Sequence, residues 1–427
     1  MADKRVRVIL AGQEVKFHER YDVRCEIFTQ PAGFSLDFAT SEPVYKFAEA
    51  YPPNTPFQLK LGDNPLMTGT TDGFETTAGS NGSSVTLFGR DPLAALIRSQ
   101  VPSDIHLSGK TYLGLLEFAL EKVGITNPTI LGSNEANRKV ITGFTSSTTV
   151  GVFSPNTNDG NGIEISRGFS AGTSGASRFN PNPRGGANRF GIEYDTDFSL
   201  DAAVLAPKTS VSEVNGQVTA RVGDTWFEFL TSYYNKAGLF LWCGARGEFI
   251  LSRPDIKQTP IYRLVRKKGV SNIENGSFKF DTTDRSAFSS TYGRTGGTKT
   301  GRLTFKGGSF DQEMLDFGFT NLLSASDGKI SSQSHAEDLA VRKISEQRRK
   351  GVNISYEVTG HEIKGIGGGT YKWCPDTMVE VEDEDMGLFG AFYVGGVNYS
   401  CSNSGEMTKL TVYRAQDLLF EKAKNTL

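Results

Sequence analysis

Apolar and polar positions alternate through much of residues 1–91. Val6, Val8 and Leu10 form one run, Val23, Cys25 and Ile27 another, and Phe34, Leu36 and Phe38 a third. Phe57, Leu59 and Leu61, then Val85, Leu87 and Gly89, continue it. A period of two marks half-buried strands. Turn formers such as Ala11-Gly12-Gln13 and Gln30-Pro31-Ala32-Gly33 separate the runs closely enough for a meander or small barrel. Residues 1–91 therefore read as a first β-barrel-like domain.

At Gly89-Arg90-Asp91-Pro92 the period changes. Pro92 suits a first helical turn, with Asp91 as its expected cap. A second helix is expected from about Thr111, where Leu113, Leu116, Leu120 and Val123 recur at helical spacing and Gly124 is a stop. Residues 92–126 are thus the helical part of a small α+β domain. Residues 127–207 turn to Gly, Ser, Thr and Asn, can bury little apolar surface, and read as a loop-rich insertion. Order returns at Thr225, which has capping-box spacing to Glu228. Trp226, Phe229, Leu230, Tyr233 and Ala237 then form an apolar helical stripe that ends at Gly238. A hairpin follows, with Leu239-Phe240-Leu241-Trp242-Cys243 and Glu248-Phe249-Ile250-Leu251-Ser252 flanking Gly244-Ala245-Arg246-Gly247. Residues 208–255 complete the α+β domain, and Trp226, Phe229, Leu230, Tyr233 and Trp242 are its expected structural core.

Residues 256–427 read as a second β-barrel-like domain with a polar helix near 334–350. That helix carries Ala336, Leu339, Ala340 and Ile344 on one side and ends on Arg348-Arg349-Lys350, which suit its negative pole. Val352, Ile354, Tyr356 and Val358 alternate, as do Val379 and Val381 with Glu380 and Glu382. The expected fold is mainly β with α+β parts: two antiparallel β-barrel-like domains, a small α-containing domain between them, and a long Gly/Ser/Asn-rich insertion.

The bulk numbers narrow the function. With 46 Lys and Arg against 48 Asp and Glu, the net charge of −2 supplies no global field to hold a nucleic-acid backbone. The charged start, Met1 to Arg5, lacks an apolar signal core, and no stretch approaches the roughly 20 apolar residues of a membrane span. The expectation is a protein made and kept in the cytoplasm. Cys25, Cys243, Cys374 and Cys401 lack paired spacing and read as small buried hydrophobes.

Motifs for chemistry are weak. His18, His106, His335 and His361 are isolated, and His361-Glu362-Ile363-Lys364-Gly365 lacks the second histidine of a zinc protease helix. Gly365-Ile366-Gly367-Gly368-Gly369 has no βαβ context for phosphate and reads as a hairpin turn. The acidic run Glu380, Glu382, Asp383, Glu384 and Asp385 lacks both the facing geometry of a glycosidase pair and the alternation of a calcium loop; a solvated hairpin is favoured. No catalytic residue, cofactor or metal is assigned.

Taken in order, the ordered segments resemble the family of the phage Mu tail hub protein and the late-control proteins of contractile phages. The carrying residues are Gly89-Arg90-Asp91, Gly223-Asp224-Thr225-Trp226, Leu239-Phe240-Leu241-Trp242 with Gly247 and Leu251, and a C-terminal block. That block runs Tyr356-Glu357-Val358-Thr359-Gly360-His361, Trp373-Cys374-Pro375-Asp376-Thr377-Met378-Val379-Glu380-Val381, Gly387, Phe392-Tyr393-Val394 and Leu410-Thr411-Val412. The resemblance implies a virion baseplate subunit, assembled in the host cytoplasm as a homotrimeric ring. Its partners would be the tail tube protein, the spike protein and baseplate wedge proteins, with DNA passing through the channel without specific binding during genome ejection. Glu380, Glu382, Asp383, Glu384 and Asp385 are then candidates for lining that channel, the other reading being an outer solvated turn. A type VI secretion or tailocin hub is an alternative within the class. A carbohydrate-binding or carbohydrate-cleaving tail protein is the alternative outside it, and the dispersed Trp226, Trp242 and Trp373 do not favour it.

Overall fold

The computed structural model describes residues 6–15, 18–28, 31–40, 44–79, 82–102, 105–107, 110–137, 143–144, 213–214, 218–219, 223–294, 303–327, 330, 333–402 and 405–419. Most of the expected insertion lies outside them. The chain divides into two compact units: residues 1–140, 217–283 and 345–420 form the first, and 141–216, 284–344 and 421–427 the second.

The first unit is built on one fourteen-stranded sheet. From the N-terminal segment it takes β1 (Val6–Leu10), β2 (Gln13–Val15), β3 (His18–Glu26), β4 (Gly33–Thr40), β5 (Pro56–Leu61), β6 (Asn64–Gly79) and β7 (Gly82–Arg90). Later in the chain come β8 (Tyr262–Lys267), β9 (Val270–Ser271), β10 (Asn275–Phe280), β11 (Val352–Thr359), β12 (Thr377–Asp383), β13 (Leu388–Ser402) and β14 (Gly405–Arg414). The spatial order is β9-β8-β12-β13-β3-β4-β7-β6-β5-β1-β2, while β14, β11 and β10 extend from the other edge of β13. Strands of both expected barrel segments therefore share one hydrogen-bonded sheet.

The N-terminal half of that sheet curls. Phe34 on β4 and Phe57 on β5 are three strands apart, about 14 Å in a flat sheet, yet their ring centroids lie 4.4 Å apart. The bend runs through β6, whose first residues pair with β5 and whose remainder pairs with β7. Gly69 sits at that corner, where an added Cβ would stand 2.0 Å from the Arg90 carbonyl oxygen. Inside the curl pack Val6, Val8, Leu10, Leu36, Leu59 and Leu87, all fully buried, as the period-two pattern required.

The join between the two halves lies on β13. One of its edges pairs with β12 through residues 388–394 and with β3 through residues 396–401, and on the other edge its register against β14 shifts between Val394 and Gly396. The Ile27 amide donates to the Gly395 carbonyl across the handover, 3.0 Å. A Cβ on Gly395 would meet the Tyr413 ring at 2.5 Å and the Phe28 ring at 2.9 Å. Those two rings pack edge to face at 5.1 Å, and the Arg349 guanidinium covers Phe28 at 4.4 Å.

The α-containing part follows its sequence signals closely. Helix α1 (Tyr112–Lys122) is capped by Thr111, whose hydroxyl accepts from the Gly114 amide. Helix α2 (Trp226–Ala237) has the full Thr225/Glu228 capping box and ends on left-handed Gly238. Trp226, Phe229, Leu230 and Tyr233 are buried with Leu116, Leu120, Leu241 and Phe249. Trp242 faces another way, into a cluster with Ile27, Met378, Tyr393 and Leu418. Ile130–Gly132 runs parallel to Phe249–Leu251, so the first residues of the expected insertion belong to this part. At Asp91 the carboxylate accepts from the Leu93 amide, as the expected cap of a turn opening at Pro92 does, and also from the Ala32 amide of another strand connection; the regular helix starts at Ala94.

In the second unit, Leu303–Phe310, Phe288–Arg294 and Leu322–Asp327 form a sheet in that spatial order. The first part of helix α3 (Gln333–Gly351) packs Ala336 and Leu339 with Phe305 and Ile330. The Thr291 hydroxyl donates to the Ala336 carbonyl at 2.5 Å. Arg285 is buried and bonds the carboxylates of Asp311 and Glu313, 2.7 Å each. Residues 345–351 of α3 belong to the first unit.

Two substitutions probe these packings. Gly395→Ala should cost about 1 to 3 kcal/mol of unfolding free energy in urea, because the methyl displaces two packed rings. Trp226→Ala should cost about 3 to 5 kcal/mol by leaving a core cavity. Retention of wild-type stability with loss of glycan binding would instead make Trp226 a sugar platform.

Candidate functional site

The acidic run forms the end of β12 and the turn after it, and its neighbour is the basic strand β8. The two run parallel, with Arg263 opposite Glu380, Val265 opposite Glu382 and Arg266 opposite Asp383. Alternation sends Val379, Val381 and Asp383 to the buried face and Glu380 and Glu382 to the other. On that outer face Arg263 lies 2.9 Å from Glu382 and 3.7 Å from Glu380, and Lys267 lies 2.7 Å from Glu382. Those hydrogen bonds and charges, Lys267 first, hold the Glu382 carboxyl below its ordinary range. Pairs this exposed contribute little stability each. They set the charge pattern of the face.

Asp383 corrects the expectation that the whole run shares one wall. Its carboxylate is fully buried and accepts two bonds from Arg266, 2.9 and 2.7 Å. Burial pulls its pKa up, but the Arg266 bonds and the Met386 amide outweigh that and hold the group below the ordinary range. Glu384 and Asp385 are exposed in the turn, with Asp385 3.5 Å from Arg266. The clue in the sequence was Tyr262-Arg263-Leu264-Val265-Arg266-Lys267, an alternating run with three cations whose Arg263 and Arg266 have the spacing of Glu380 and Asp383. Reading the acids as an isolated hairpin missed it, since a parallel partner over a hundred residues away leaves no local signal.

His361 lies in a buried relay. The Thr408 hydroxyl donates to the Gly360 carbonyl at 2.7 Å, so it accepts from His361 Nδ1–H at 2.8 Å, which leaves Nε2 to accept from the Tyr21 hydroxyl at 2.7 Å. The ring is neutral, and burial lowers its pKa to about 4. The relay ties β3 to β14.

A narrow crevice is lined by Cys25, Asp91, Trp242, Cys243 and Pro375 among others. Burial pushes the Asp91 carboxyl up to about 7, against the Ala32 and Leu93 amides that oppose the shift. Burial, reinforced by Asp91, pushes the Cys25 thiol up to about 12, and Cys243 moves in the same direction for the same reasons. Both thiols are held protonated, the reverse of what a nucleophile needs. Among the described residues no group of three His, Cys, Asp or Glu side chains is placed to hold a metal ion. No helix of the described residues is long and apolar enough to cross a membrane.

No protein-family model matches the chain, and no curated protein matches it in sequence. Solved structures do match. The tail protein from Neisseria meningitidis MC58 superposes with a TM-score of 0.67 at 15% identity, covering 97% of each chain. The 43 kDa tail protein of prophage MuSo2 from Shewanella oneidensis gives 0.63 at 14% identity, over 97% of this chain and 99% of that one. The chain shares the fold of these two proteins. Prophage tail protein gp18 from Listeria monocytogenes EGD-e matches more distantly, with a TM-score of 0.50 at 10% identity over 95% and 94% of the two chains.

The relay generates a pH prediction. An unfolded histidine titrates near 6.5 and His361 near 4, so between these values the unfolded chain binds a proton that the folded chain refuses. The relay's contribution is therefore present above pH 6.5 and lost as pH falls towards 4. The stability penalty of His361→Gln should shrink by roughly 2 kcal/mol between pH 7 and pH 5. A penalty that stays constant in urea titrations across that range refutes the assignment.

Proposed function

We propose that the chain is a structural hub subunit of a contractile phage tail baseplate, forming a trimeric ring between the hexameric tail tube and the trimeric spike. The observation that carries this reading is the match of the whole fold, over 97% of this chain, to two tail proteins, one of them from a prophage. The shared sheet supports it. Two β segments fused through β13 make one continuous sheet, and three such chains in a closed ring would present six β walls to a hexameric tube. Thiols and a histidine held in their neutral forms by burial fit a scaffold better than a reaction centre.

On this reading the face of β12 bearing Glu380 and Glu382 turns to the channel, and Glu384 and Asp385 edge it. Arg263 and Lys267 offset part of that charge. The wall offered to passing DNA is then a mixed ion-pair surface with no basic track to grip phosphates.

Light scattering on the purified chain, alone and with a trimeric tail spike protein, tests the assembly. The expected result is three times the chain mass, alone or on the spike. One copy per particle in both samples would exclude the ring.

A further inference from the structure

One branch of the fourteen-stranded sheet ends on β10, which among the described residues pairs with β11 on one side only. The pairing fixes which backbone groups face outward. The Asp281 amide donates to the Gly351 carbonyl at 2.7 Å, in register with the pair Ser277 and Ser355. Residues 277, 279 and 281 therefore bond inward, and antiparallel alternation turns the N–H and C=O of Gly276 and Phe278 away from β11. The Gly276 amide is met by the Asn275 carboxamide at 2.9 Å. Beside Phe278 there is no described strand.

The side chain agrees with the backbone. Phe278 shares the core-facing side of β10 with Phe280, which packs against the main apolar cluster, yet Phe278 is 43% exposed. The sheet stops one strand short of covering it. Elsewhere such an edge is closed. On β8 the Asn272 carboxamide accepts from the Val265 amide and donates to the Arg263 carbonyl, 2.8 Å each, imitating a strand and blocking a real one.

We propose that β10 is an assembly edge onto which a second copy of this chain adds a strand, continuing the sheet and covering Phe278. Unpaired backbone specifies an extended segment as the occupant. A ring contact joins two different surfaces of one chain, and among the described residues Leu322–Asp327, a strand of the same six-residue length, also pairs on one side only, with Leu322 40% exposed. The inference rests on the ring reading above.

Phe278→Pro removes the outward N–H while leaving the inward bonds of residues 277 and 279, and Phe278→Lys keeps the backbone but removes the apolar contact. Circular dichroism melts establish that both variants fold. Sedimentation with amide exchange on wild type and variants then reads the edge. The expected result is at least a tenfold weaker self-association for both variants, and a Phe278 amide protected in the wild-type assembly but not at monomer concentrations. Wild-type trimers with variants that trimerise equally well would overturn this edge and leave the hub reading standing. A wild type that stays single, alone and with the spike, would overturn both. Protection of the Phe278 amide only when spike protein is added would assign the strand to the spike and overturn the second-copy occupant.

Discussion

The structure depends on one edge of one strand. Between residues 394 and 396, β13 releases β12 and takes up β3, while its pairing to β14 on the other side continues through a register shift. A sheet edge can change partners only where the backbone bends and where no side chain blocks the incoming connection. Gly395 meets the second condition, since the rings of Phe28 and Tyr413 occupy the space a Cβ would need. Without that handover the N-terminal curl and the C-terminal sheet would be two bodies joined by loops. With it, they share hydrogen bonds and one apolar cluster from Val6 to Val412.

Other features follow from holding the two halves in register. A one-residue slip of β3 against β13 would exchange their buried and exposed faces. The relay from Tyr21 through His361 to Thr408 resists such a slip, because every member is buried and a displaced partner leaves a polar group unmet. On the far side of β12, Arg266 and Asp383 act alike. Their two-point pair sits at the end of an otherwise apolar strand face, and only the observed register brings the guanidinium fork onto the carboxylate.

Local signals in the sequence were read correctly, and long-range ones were not. The Thr225/Glu228 box, the Gly238 stop and the stripe from Trp226 to Tyr233 are fixed by neighbours a few residues apart, so the pattern alone places them. The alternating strands were legible for the same reason. The merger of the two β segments was hidden because the Gly395-Gly396 pair and the unbroken apolar run before it mark an irregularity in β13 without naming the strand that pairs beyond it. The three-stranded sheet of the second unit was hidden too. Thr291 and Gly307 lie where α3 comes close to the backbone, Ser289 shares the face of Thr291 and Ser290 is buried on the opposite one, and small polar residues in a core imitate a loop. Asp383 was misread as solvent-facing because its partner lies on a strand more than a hundred residues earlier.

Two buried ionisable groups, His361 and Asp91, respond to acid in opposite directions. His361, lowered to about 4, favours the folded state less as pH falls from 7 to 5, because the unfolded ring gains a proton that the folded ring does not. Asp91, raised to about 7, works in the opposite direction. Its folded carboxyl takes up a proton near neutrality while the unfolded one waits until about 4, so acidification over the same range restores stability that burial of the charge had removed. Each change is worth roughly 2 kcal/mol over those two pH units. The groups sit in separate surroundings, one between β3 and β14 and the other at the end of β7, so their effects add. The two effects therefore oppose each other as the pH falls from 7 to 5, His361 removing stability and Asp91 returning it.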